Sequence, residues 1–338
     1  MTKIKKKYRT VVIGCGRIGA FFESEPKREK PASHAGAVIA NDKTELIALV
    51  DTNAKNLAEA CKLFPNATGY TSLSKCLKIE RPDIGIIATP PSARLSPLKE
   101  CALFGIKIII CEKPLANGAL EAKQMGKIVM ENGITFVLNY QRRFSPLFTQ
   151  VRANIKKGKL GRIQQVTCYY SNGLYNNGGH IVDALSYVID DEIVSVTGMK
   201  NDMNNTHPAG DINIDAFLTT KKGTKIVLQS FDQKEYGIHD IRIYGTKGSI
   251  VLTDYGVELI ETPVCSSRFV GIHQLDATRQ HSTRVPLSAT RDALKYAIEC
   301  YEKHRIPSSS IASGLTVLRV LDAIFKSAKH GGKKTTVQ

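Results

Sequence analysis

A regular alternation of short apolar strands with helical stretches fills the first third of the chain and constrains its fold more than any other feature. Strands are predicted at Thr10–Ile13, Glu45–Val50, Ile84–Ala88, Ile106–Cys111 and Thr135–Leu138. Helical patterns lie between them, among them Leu120–Asn132. Such βαβα alternation produces a parallel sheet with helices on both faces.

Beyond about residue 162 the pattern changes to strands separated by short, glycine-bearing turns. These strands are predicted at Ile163–Tyr170, Val194–Lys200, Ile214–Thr220, Lys225–Phe231, Ile241–Tyr244, Ser249–Thr253 and Val257–Glu261. They indicate a mostly antiparallel sheet, which two final helices, Arg291–His304 and Ser313–Lys329, are expected to cover. A chain of 338 residues, 42% of them hydrophobic, is long enough for two domains.

Three glycines follow the first predicted strand in the sequence GCGRIG, residues 14–19. In a dinucleotide-binding loop the first glycine allows a tight turn and the second lets the backbone approach a pyrophosphate, while the third lets helix and strand pack closely. The helix that the loop is expected to open would offer its free N–H groups to the phosphates. The predicted cofactor contacts here are Gly14, Gly16, Arg17, Ile18 and Gly19.

Asp51, at the end of the second predicted strand, is placed to bind the ribose hydroxyls of the dinucleotide. It lies 32 positions after Gly19, where about 20 are expected. The charged segment 23–33, ESEPKREKPAS, accounts for the excess as an insertion, and helical character is expected to resume near His34. Because Asp51 would repel a 2′-phosphate, NAD is preferred over NADP, with Lys55 the one nearby residue that argues the other way.

Charge and cysteine usage narrow the function classes. The formal charge is +16, but much of it lies at the two ends, Lys3–Arg9 and Lys326–Lys334, without interleaved aromatic residues. Solvated tails are therefore favoured over nucleic-acid binding, and an acidic substrate stays open. No apolar stretch approaches the roughly 20 residues of a membrane span. Eight scattered cysteines without zinc-ligand spacing predict a cytoplasmic enzyme with no metal.

The fourth strand runs into the tetrapeptide CEKP, residues 111–114. A lysine at the carboxyl edge of a parallel sheet lies beside the dinucleotide crevice, where it could interact with a substrate hydroxyl and nicotinamide together. From this tetrapeptide alone, an ordinary surface lysine is the alternative. Lys113 is therefore a candidate that needs the rest of the sequence to support it.

The segments GCGRIG, ATPPSARLSPLKECALFGIKIIICEKPLA, NYQRRF, GGHIVDAL and SGLTVLRVL, in this order, resemble the glucose-fructose oxidoreductase, inositol dehydrogenase and MocA family (Gfo/Idh/MocA). The resemblance implies an α/β chain with an N-terminal Rossmann domain, residues 1–125. It implies a C-terminal α/β domain, residues 126–338, built on a large, mostly antiparallel open sheet that binds substrate and forms a homodimer or homotetramer. Members oxidise or reduce a carbohydrate carbon with NAD or NADP.

The resemblance also assigns roles in the first domain. It places Glu112 and Lys113 at the nicotinamide end of the cofactor, with Lys113 hydrogen-bonded to the reacting sugar hydroxyl. Thr89 and Pro90, after the third predicted strand, would line the cofactor pocket. Arg94 departs from the family, which often has histidine at this position.

In the second domain the family pattern DxGxHxxD meets residues 176–183, where Asn176 replaces the first aspartate. His180 is the natural proton acceptor, since a neutral imidazole can take the hydroxyl proton, and Asp183 lies on the same face if the segment is helical. An amide cannot accept a proton near neutral pH, so the base role falls on His180. The alternative is a relic site that binds NAD and ligand without turnover. Tyr175 and Asn176 are predicted substrate contacts.

Arg142 and Arg143 are the remaining predicted substrate contacts, either for a substrate phosphate or as members of a salt bridge between domains. The function predicted from all of these features is an NAD-dependent oxidoreductase acting on a carbohydrate CH–OH. A nucleotide sugar such as a UDP-N-acetylhexosamine, oxidised at C3, is the preferred substrate. A free sugar, inositol or sugar acid is the alternative, as is a non-catalytic NAD-binding regulator on the same fold. No nucleic acid or membrane partner is expected.

Overall fold

A parallel sheet of six strands is the centre of the first of two units in this computed structural model, which describes residues 7–203 and 206–338. Its strands are β1 (Tyr8–Ile13), β2 (Thr44–Val50), β3 (Thr68–Tyr70), β4 (Ile84–Ile87), β5 (Ile108–Cys111) and β6 (Thr135–Leu138). Their order across the sheet is β3-β2-β1-β4-β5-β6, that of a doubly wound dinucleotide-binding fold. The predicted Rossmann sheet is confirmed.

The strands of this sheet are connected by helices, the first three of which begin where the sequence supplies a capping side chain. The helices are α1 (His34–Ile39), α2 (Ala54–Leu63), α3 (Leu73–Glu80), α4 (Leu95–Leu103) and α5 (Ala119–Glu131). Ser33, Asn53 and Ser72 accept backbone N–H bonds at the starts of α1, α2 and α3. The short strands β4 and β5 are buried along their whole length, which is why neither contains a polar side chain other than the Cys111 thiol.

The second unit is built on a ten-stranded sheet that carries two helices, α6 (Pro146–Lys156) and α7 (Gly179–Ile189). Its strands are β7 (Ile163–Ser171), β8 (Ile193–Lys200), β9 (Ile214–Thr220), β10 (Lys225–Phe231), β11 (His239–Gly245), β12 (Gly248–Thr253), β13 (Glu258–Ser266), β14 (His273–Leu275), β15 (His281–Arg284) and β16 (Thr335–Thr336). β7 and β10 pair in parallel, and the other ladders that the structure describes in this second sheet are antiparallel. The predicted mostly antiparallel sheet is confirmed.

Two final helices complete the chain, α8 (Ala289–Glu302) and α9 (Ile311–Lys329), and the expectation that both cover the second sheet is wrong for α8. α8 packs on α1, β5 and β6, so it belongs to the Rossmann unit. Its amphipathic pattern indicates one apolar face but not which sheet receives that face. In the second unit, α9 reaches β8, where the Ser327 hydroxyl accepts the Gly198 N–H at 2.9 Å.

The boundary between the units lies beyond residue 125, the predicted end of the first domain. The first unit continues to Gln141 and takes up Ser288–Leu315 as well, and the second unit holds Arg142–Leu287 and the residues from Thr316 onward. The physical reason is the pairing of β6 with β5, which makes residues 126–141 part of the Rossmann sheet. Ser309 then closes the end of β6, because Leu138 donates its N–H to the Ser309 carbonyl at 3.1 Å.

The insertion at residues 23–33 replaces the helix that the glycine loop was expected to open. Turns and a single 3₁₀ turn, Phe21–Ser24, follow the loop, and α1 begins at His34, where helical character was predicted to resume. The insertion is organised by its own residues: the Glu23 carboxylate accepts the N–H groups of Ala32 and Ser33 at 3.0 and 2.9 Å. Lys30 donates to the carbonyls of Phe22, Glu23 and Glu25.

No helix among residues 7–203 and 206–338 is long and apolar enough to cross a membrane. Within the same residues, no group of three or more histidine, cysteine or acidic side chains could hold a metal ion. Of the basic N-terminal segment, residues 3–6 lie outside the described residues. Arg9 is part of β1 and pairs with Glu80 at 2.9 Å, so it is not a solvated tail.

Candidate active site

The three glycines of the loop differ in what a side chain would meet. At Gly14 the backbone has φ +98°, and a Cβ atom would lie 2.9 Å from the Ala88 carbonyl carbon. At Gly19 a Cβ atom would lie 1.9 Å from the Gly14 carbonyl oxygen. A Cβ atom on Gly16 would meet nothing within 4 Å. Gly14 and Gly19 are therefore needed for the turn and its packing, whereas Gly16 leaves open space, which is what the approach of a pyrophosphate requires.

Asp51 directly follows β2 and ties the glycine loop to the end of that strand. Its Oδ2 accepts the Cys15 N–H at 2.8 Å, and its Oδ1 accepts the Asn53 N–H at 2.8 Å. Arg17 extends from the loop with 74% of its side chain exposed and lies over the Phe22 ring. Ile18 is half-buried beside it. These residues lie at one end of the parallel sheet, beyond the carboxyl ends of β1 and β2.

Arg94, noted only as a departure from the family, links the two loops after β4 and β5 that are predicted to contact the cofactor. It is 3% exposed; its Nε donates to the Thr89 carbonyl at 3.0 Å and its Nη2 to the Lys113 carbonyl at 3.0 Å. The Thr89 hydroxyl in turn donates to the Ala93 carbonyl at 2.8 Å. The neighbouring Pro90 is exposed. One buried guanidinium thus fixes the loops after β4 and β5 to each other.

Glu112 is the buried anchor of the segment that carries Lys113. Its Oε1 accepts from His34 Nε2 at 2.9 Å and from Asn139 Nδ2 at 2.6 Å, and its Oε2 accepts the Lys113 N–H at 3.2 Å. Burial alone would raise the pKa of this carboxyl, but the bonds from His34 and Asn139 and the charge of Arg94 outweigh it and lower the pKa to about 2. Glu112 is therefore ionised, and it holds the Lys113 backbone at the carboxyl end of β5.

In the second unit, the segment predicted to bind substrate is a π-helical turn, Gly173–Gly178, that leads into α7. Asp211 organises this turn, since its carboxylate accepts the N–H groups of Tyr175 and Asn176 at 3.1 and 2.9 Å. The Asn176 amide donates to the Asn172 carbonyl at 3.1 Å. Tyr175 is directed elsewhere: its hydroxyl donates to Asp322 of α9 at 2.9 Å. The structure therefore does not bring the Tyr175 hydroxyl together with the other predicted substrate contacts.

Asp183 and Arg143 form a buried ion pair inside the second unit. The Arg143 Nε donates to both carboxylate oxygens, at 2.8 and 3.0 Å, and the Asp183 side chain is 1% exposed. Burial raises the pKa of Asp183 to about 6, and Arg143 limits that rise. The salt bridge that was one of two hypotheses for Arg143 exists, but both partners belong to one unit and it does not join the domains.

Arg142 lies next to that pair, 2% exposed, and donates from Nη2 to the Tyr255 carbonyl at 3.1 Å. His180, second residue of α7 and half-buried, has its ring 6.5 Å from that of His239 on β11. The His239 ring stacks 6.1 Å from Tyr255. The second unit thus brings together His180, Arg142, Arg143 and Asp183 of the predicted residues and adds His239.

Sequence reasoning missed His34, Asn139 and Asp211 as well as His239. His34 and Asn139 act through Glu112 over 78 and 27 positions of sequence, so no local pattern could reveal them. Asp211 follows a glycine in a polar segment, which is a signal for a turn but not for its distant partner. His239 is the first residue of β11 and lies on the same face of that strand as Ile241 and Ile243, which are buried. This two-residue alternation is the one sequence signal that His239 is buried.

Comparisons with known proteins identify the family of both units. Residues 8–140 match the oxidoreductase family with an NAD-binding Rossmann fold, and residues 148–251 match the GFO/IDH/MocA C-terminal domain. An inositol 2-dehydrogenase from Rhizobium meliloti is 25% identical over 345 residues, which cover 94% of this chain and 95% of the relative.

Two solved structures show the same fold over nearly their whole length. Levoglucosan dehydrogenase in complex with NADH and L-sorbose aligns with a TM-score of 0.80 at 19% identity, covering 98% of this chain and 99% of that one. The WlbA dehydrogenase from Bordetella pertussis in complex with NADH and UDP-GlcNAcA aligns with a TM-score of 0.74 at 22% identity, over the same shares.

The parallel sheet, its glycine loop and the matched family together define an NAD-binding oxidoreductase that acts on CH–OH groups. The chain belongs to the Gfo/Idh/MocA family. The resemblance inferred from its motifs, the two-part α/β fold and NAD as cofactor are confirmed.

Proposed function

We propose that this chain moves hydride between a carbohydrate CH–OH carbon and NAD, with Lys113 and His180 acting on the reacting hydroxyl. The observation that carries the proposal is the anchoring of Lys113. Its N–H is bound by Glu112, its carbonyl by Arg94, and Glu112 itself is locked by two further buried partners. A lysine held this firmly at the carboxyl edge of a Rossmann sheet suits the positioning of a substrate hydroxyl.

The residues of the first unit fit a nicotinamide dinucleotide. The open space at Gly16 admits a pyrophosphate, and the ribose hydroxyls would be bound by Asp51 at the end of β2. Asp51 also favours NAD over NADP, since a carboxylate repels a 2′-phosphate. When bound, NAD supplies the hydride acceptor or donor. Arg17 and Ile18 of the loop, together with Thr89 and Pro90, would complete the cofactor contacts.

The transfer of the hydroxyl proton is carried out by side chains of the protein. As hydride leaves the carbon, the hydroxyl proton passes to the neutral His180 imidazole, and the Lys113 ammonium stabilises the negative charge that develops on the oxygen. Asn176 contributes hydrogen bonds but accepts no proton. The contacts of Asp183 suit a positioning role, because both of its carboxylate oxygens are bound by the Arg143 Nε within the second unit.

For the substrate, a sugar or polyol ring carries more support than a nucleotide sugar. An inositol 2-dehydrogenase and a levoglucosan dehydrogenase are among the relatives, and a structure with a nucleotide sugar, UDP-GlcNAcA, is a distant neighbour. The nucleotide sugar, oxidised at C3, is the second candidate, and the buried Arg142 favours it by suiting a charged substrate. A homodimer or homotetramer is proposed through the open sheet, on which Phe217 of β9 is 47% exposed; sedimentation of a monomer alone would reject it.

The experiment is a spectrophotometric one. Purified protein is mixed with NAD and a panel of inositols, free sugars, sugar acids and nucleotide sugars, and nicotinamide absorbance at ~340 nm is followed, with NAD binding titrated in parallel. Lys113→Ala should abolish turnover and leave the Kd for NAD within about threefold, whereas Lys99→Ala, an exposed lysine on α4, should behave as wild type.

One result would decide against the role of Lys113, and another against turnover itself. Turnover by Lys113→Ala close to that of wild type would remove the role given to this lysine. NAD binding with no reduction or oxidation across the panel in either direction would favour the non-catalytic regulator, for which Asn176 in place of the family's aspartate is the one supporting observation.

A further inference from the structure

Positive charge exceeds negative charge in the buried cluster around His180. Two guanidinium groups, Arg142 and Arg143, are 2% and 9% exposed, and among residues 7–203 and 206–338 the carboxylate beside them is Asp183. Arg143 and Asp183 neutralise each other through their close ion pair. Asp183 also acts on Arg142, so among the described residues one carboxylate faces two guanidinium groups and the cluster keeps one positive charge in excess.

Arg142 also has hydrogen-bonding capacity left over. A guanidinium carries five N–H donors, and the bond to the Tyr255 carbonyl uses one on Nη2. Its Nε and Nη1 are buried and have no hydrogen-bond partner among the described residues. Burial lowers the pKa of Arg142 to about 9, while Asp183 and Tyr255 act to hold it up, so the group stays protonated at neutral pH.

His239 offers a further unpartnered atom in the same cluster. Its side chain is 3% exposed, and its Nε2 is buried with no partner among the described residues. Burial, helped by the charge of Arg142, lowers the pKa of His239 well below its usual range, so the imidazole is neutral and adds a hydrogen bond but no charge. The ring lies close to that of His180, the proposed proton acceptor.

The nearest other acid in sequence does not supply the missing negative charge. Asp240 follows His239 on β11, and successive side chains of a strand point to opposite faces. Its carboxylate is already bound by Arg242 at 3.0 Å and by the Thr253 hydroxyl at 2.7 Å. The cluster therefore has an unbalanced cation and several unused hydrogen-bonding atoms. Because buried polar groups in folded proteins are almost always paired, these atoms point to a bound ligand.

We propose that Arg142 and His239 bind a carboxylate of the substrate, so that the sugar oxidised or reduced here is an acidic one, such as a uronate. The proposal rests on the proposed function and names the substrate class of that site. A carboxylate carries one negative charge, which matches the single unbalanced cation, whereas a phosphate monoester carries nearly two at neutral pH. An acid bound here would place its ring beside His180.

The test compares each acid with its neutral amide. Binding to the NAD-loaded protein is measured by calorimetry for D-glucuronate against D-glucuronamide and for D-galacturonate against D-galacturonamide. D-glucose 6-phosphate and UDP-glucose are the phosphate probes. A charge-assisted hydrogen bond predicts that at least one acid binds roughly 10- to 100-fold more tightly than its amide and more tightly than either phosphate probe. This comparison uses wild-type protein and does not depend on the folding of a variant.

Variants then assign the preference to its residue. Arg142→Gln should remove the preference for acid over amide, Arg142→Lys should retain part of it, and Arg279→Gln, which changes an exposed arginine of the same unit, should leave it intact. Equal affinity for acid and amide, no binding of either acid, or a preference kept by Arg142→Gln would overturn the proposal. Tighter binding of a phosphate probe would overturn the assignment to a carboxylate.

The proposed function can fail separately. Reduction of NAD by a neutral sugar, with no preference for acids, would keep hydride transfer and reject the acidic substrate. Tight and selective binding of an acid, with no change in nicotinamide absorbance in either direction, would keep the carboxylate site and reject turnover.

Discussion

Replacing Glu112 by glutamine tests the buried cluster that anchors Lys113. The variant keeps the shape of the side chain and removes the charge that His34 and Asn139 stabilise. In the folded protein the pKa of Glu112 is about 2, against 4.5 as its ordinary value. At about 1.4 kcal/mol for each pH unit, this difference corresponds to about 3 kcal/mol of stability at neutral pH. We expect Glu112→Gln to lose most of that amount.

The pH dependence of this stability difference tests the assignment more sharply than its size at neutral pH. Because the folded-state pKa lies below the unfolded one, the contribution of Glu112 is fully present above about pH 4.5 and is lost as the pH falls towards 2. Urea unfolding of both proteins between pH 7 and pH 3.5 should therefore show a constant difference down to about pH 4.5. Below that it should shrink by about 1.4 kcal/mol per pH unit.

The exposed Glu59→Gln is the control and should change little at any pH. A difference for Glu112→Gln below about 1 kcal/mol at pH 7, or one that stays constant down to pH 3.5, would refute the reasoning, since an ionised, stabilising carboxylate requires both features.

Three further predictions follow from the same geometry. Gly19→Ala should lower the melting temperature markedly because its Cβ would strike the loop backbone, whereas Gly16→Ala should fold normally and weaken NAD binding, which thermal unfolding and an NAD titration distinguish. Arg94→Gln should lower kcat roughly 10- to 100-fold, with little change in the Kd for NAD, because it releases the Lys113 carbonyl. Arg143→Ala should cost about 3 to 5 kcal/mol in urea unfolding, because it leaves the buried Asp183 without a partner.

Contrary outcomes are equally specific. Equal effects of the two glycine substitutions on stability would contradict the assigned difference in space. A change in NAD affinity as large as that in kcat would make Arg94 a cofactor contact instead of a positioning residue. A loss under about 1 kcal/mol for the Arg143 variant would mean that water reaches Asp183.

Much of the fold could be predicted because its strands are short apolar runs bounded by glycines and charges. The strands Thr135–Leu138, Ile214–Thr220 and Lys225–Phe231 have the predicted bounds. The predictions that were wrong depended on contacts between residues far apart in the sequence. The placement of α8 is one of them, because its own sequence does not say which of the two sheets it packs on. The helix predicted directly after the glycine loop does not form, because hydrogen bonds within the insertion favour turns. The most important of these are the bonds that the Glu23 carboxylate accepts.

The candidate site divides in the same way. The position of the loop glycines and Asp51 at one end of the sheet could be predicted because it follows from spacing near the ends of β1 and β2, and their contacts with the cofactor stay a prediction. The network around Glu112 could not be predicted, since its members meet only when β5, β6 and α1 are in place. The charge balance around Arg142 could not be predicted either, because it depends on which of the two arginines forms the ion pair with Asp183.

The return of the chain to its first unit has a consequence for how the protein is made. β5 and β6 leave the ribosome early, but α8, which packs on them, is encoded after the whole of Arg142–Leu287. While the second unit is being translated, the surface of the nascent Rossmann unit that α8 will cover, on α1, β5 and β6, is therefore exposed. Such exposed surface is prone to aggregation and to chaperone binding. We expect ribosome-bound chains that end before Ala289 to be degraded by protease more readily than chains extended beyond Leu315.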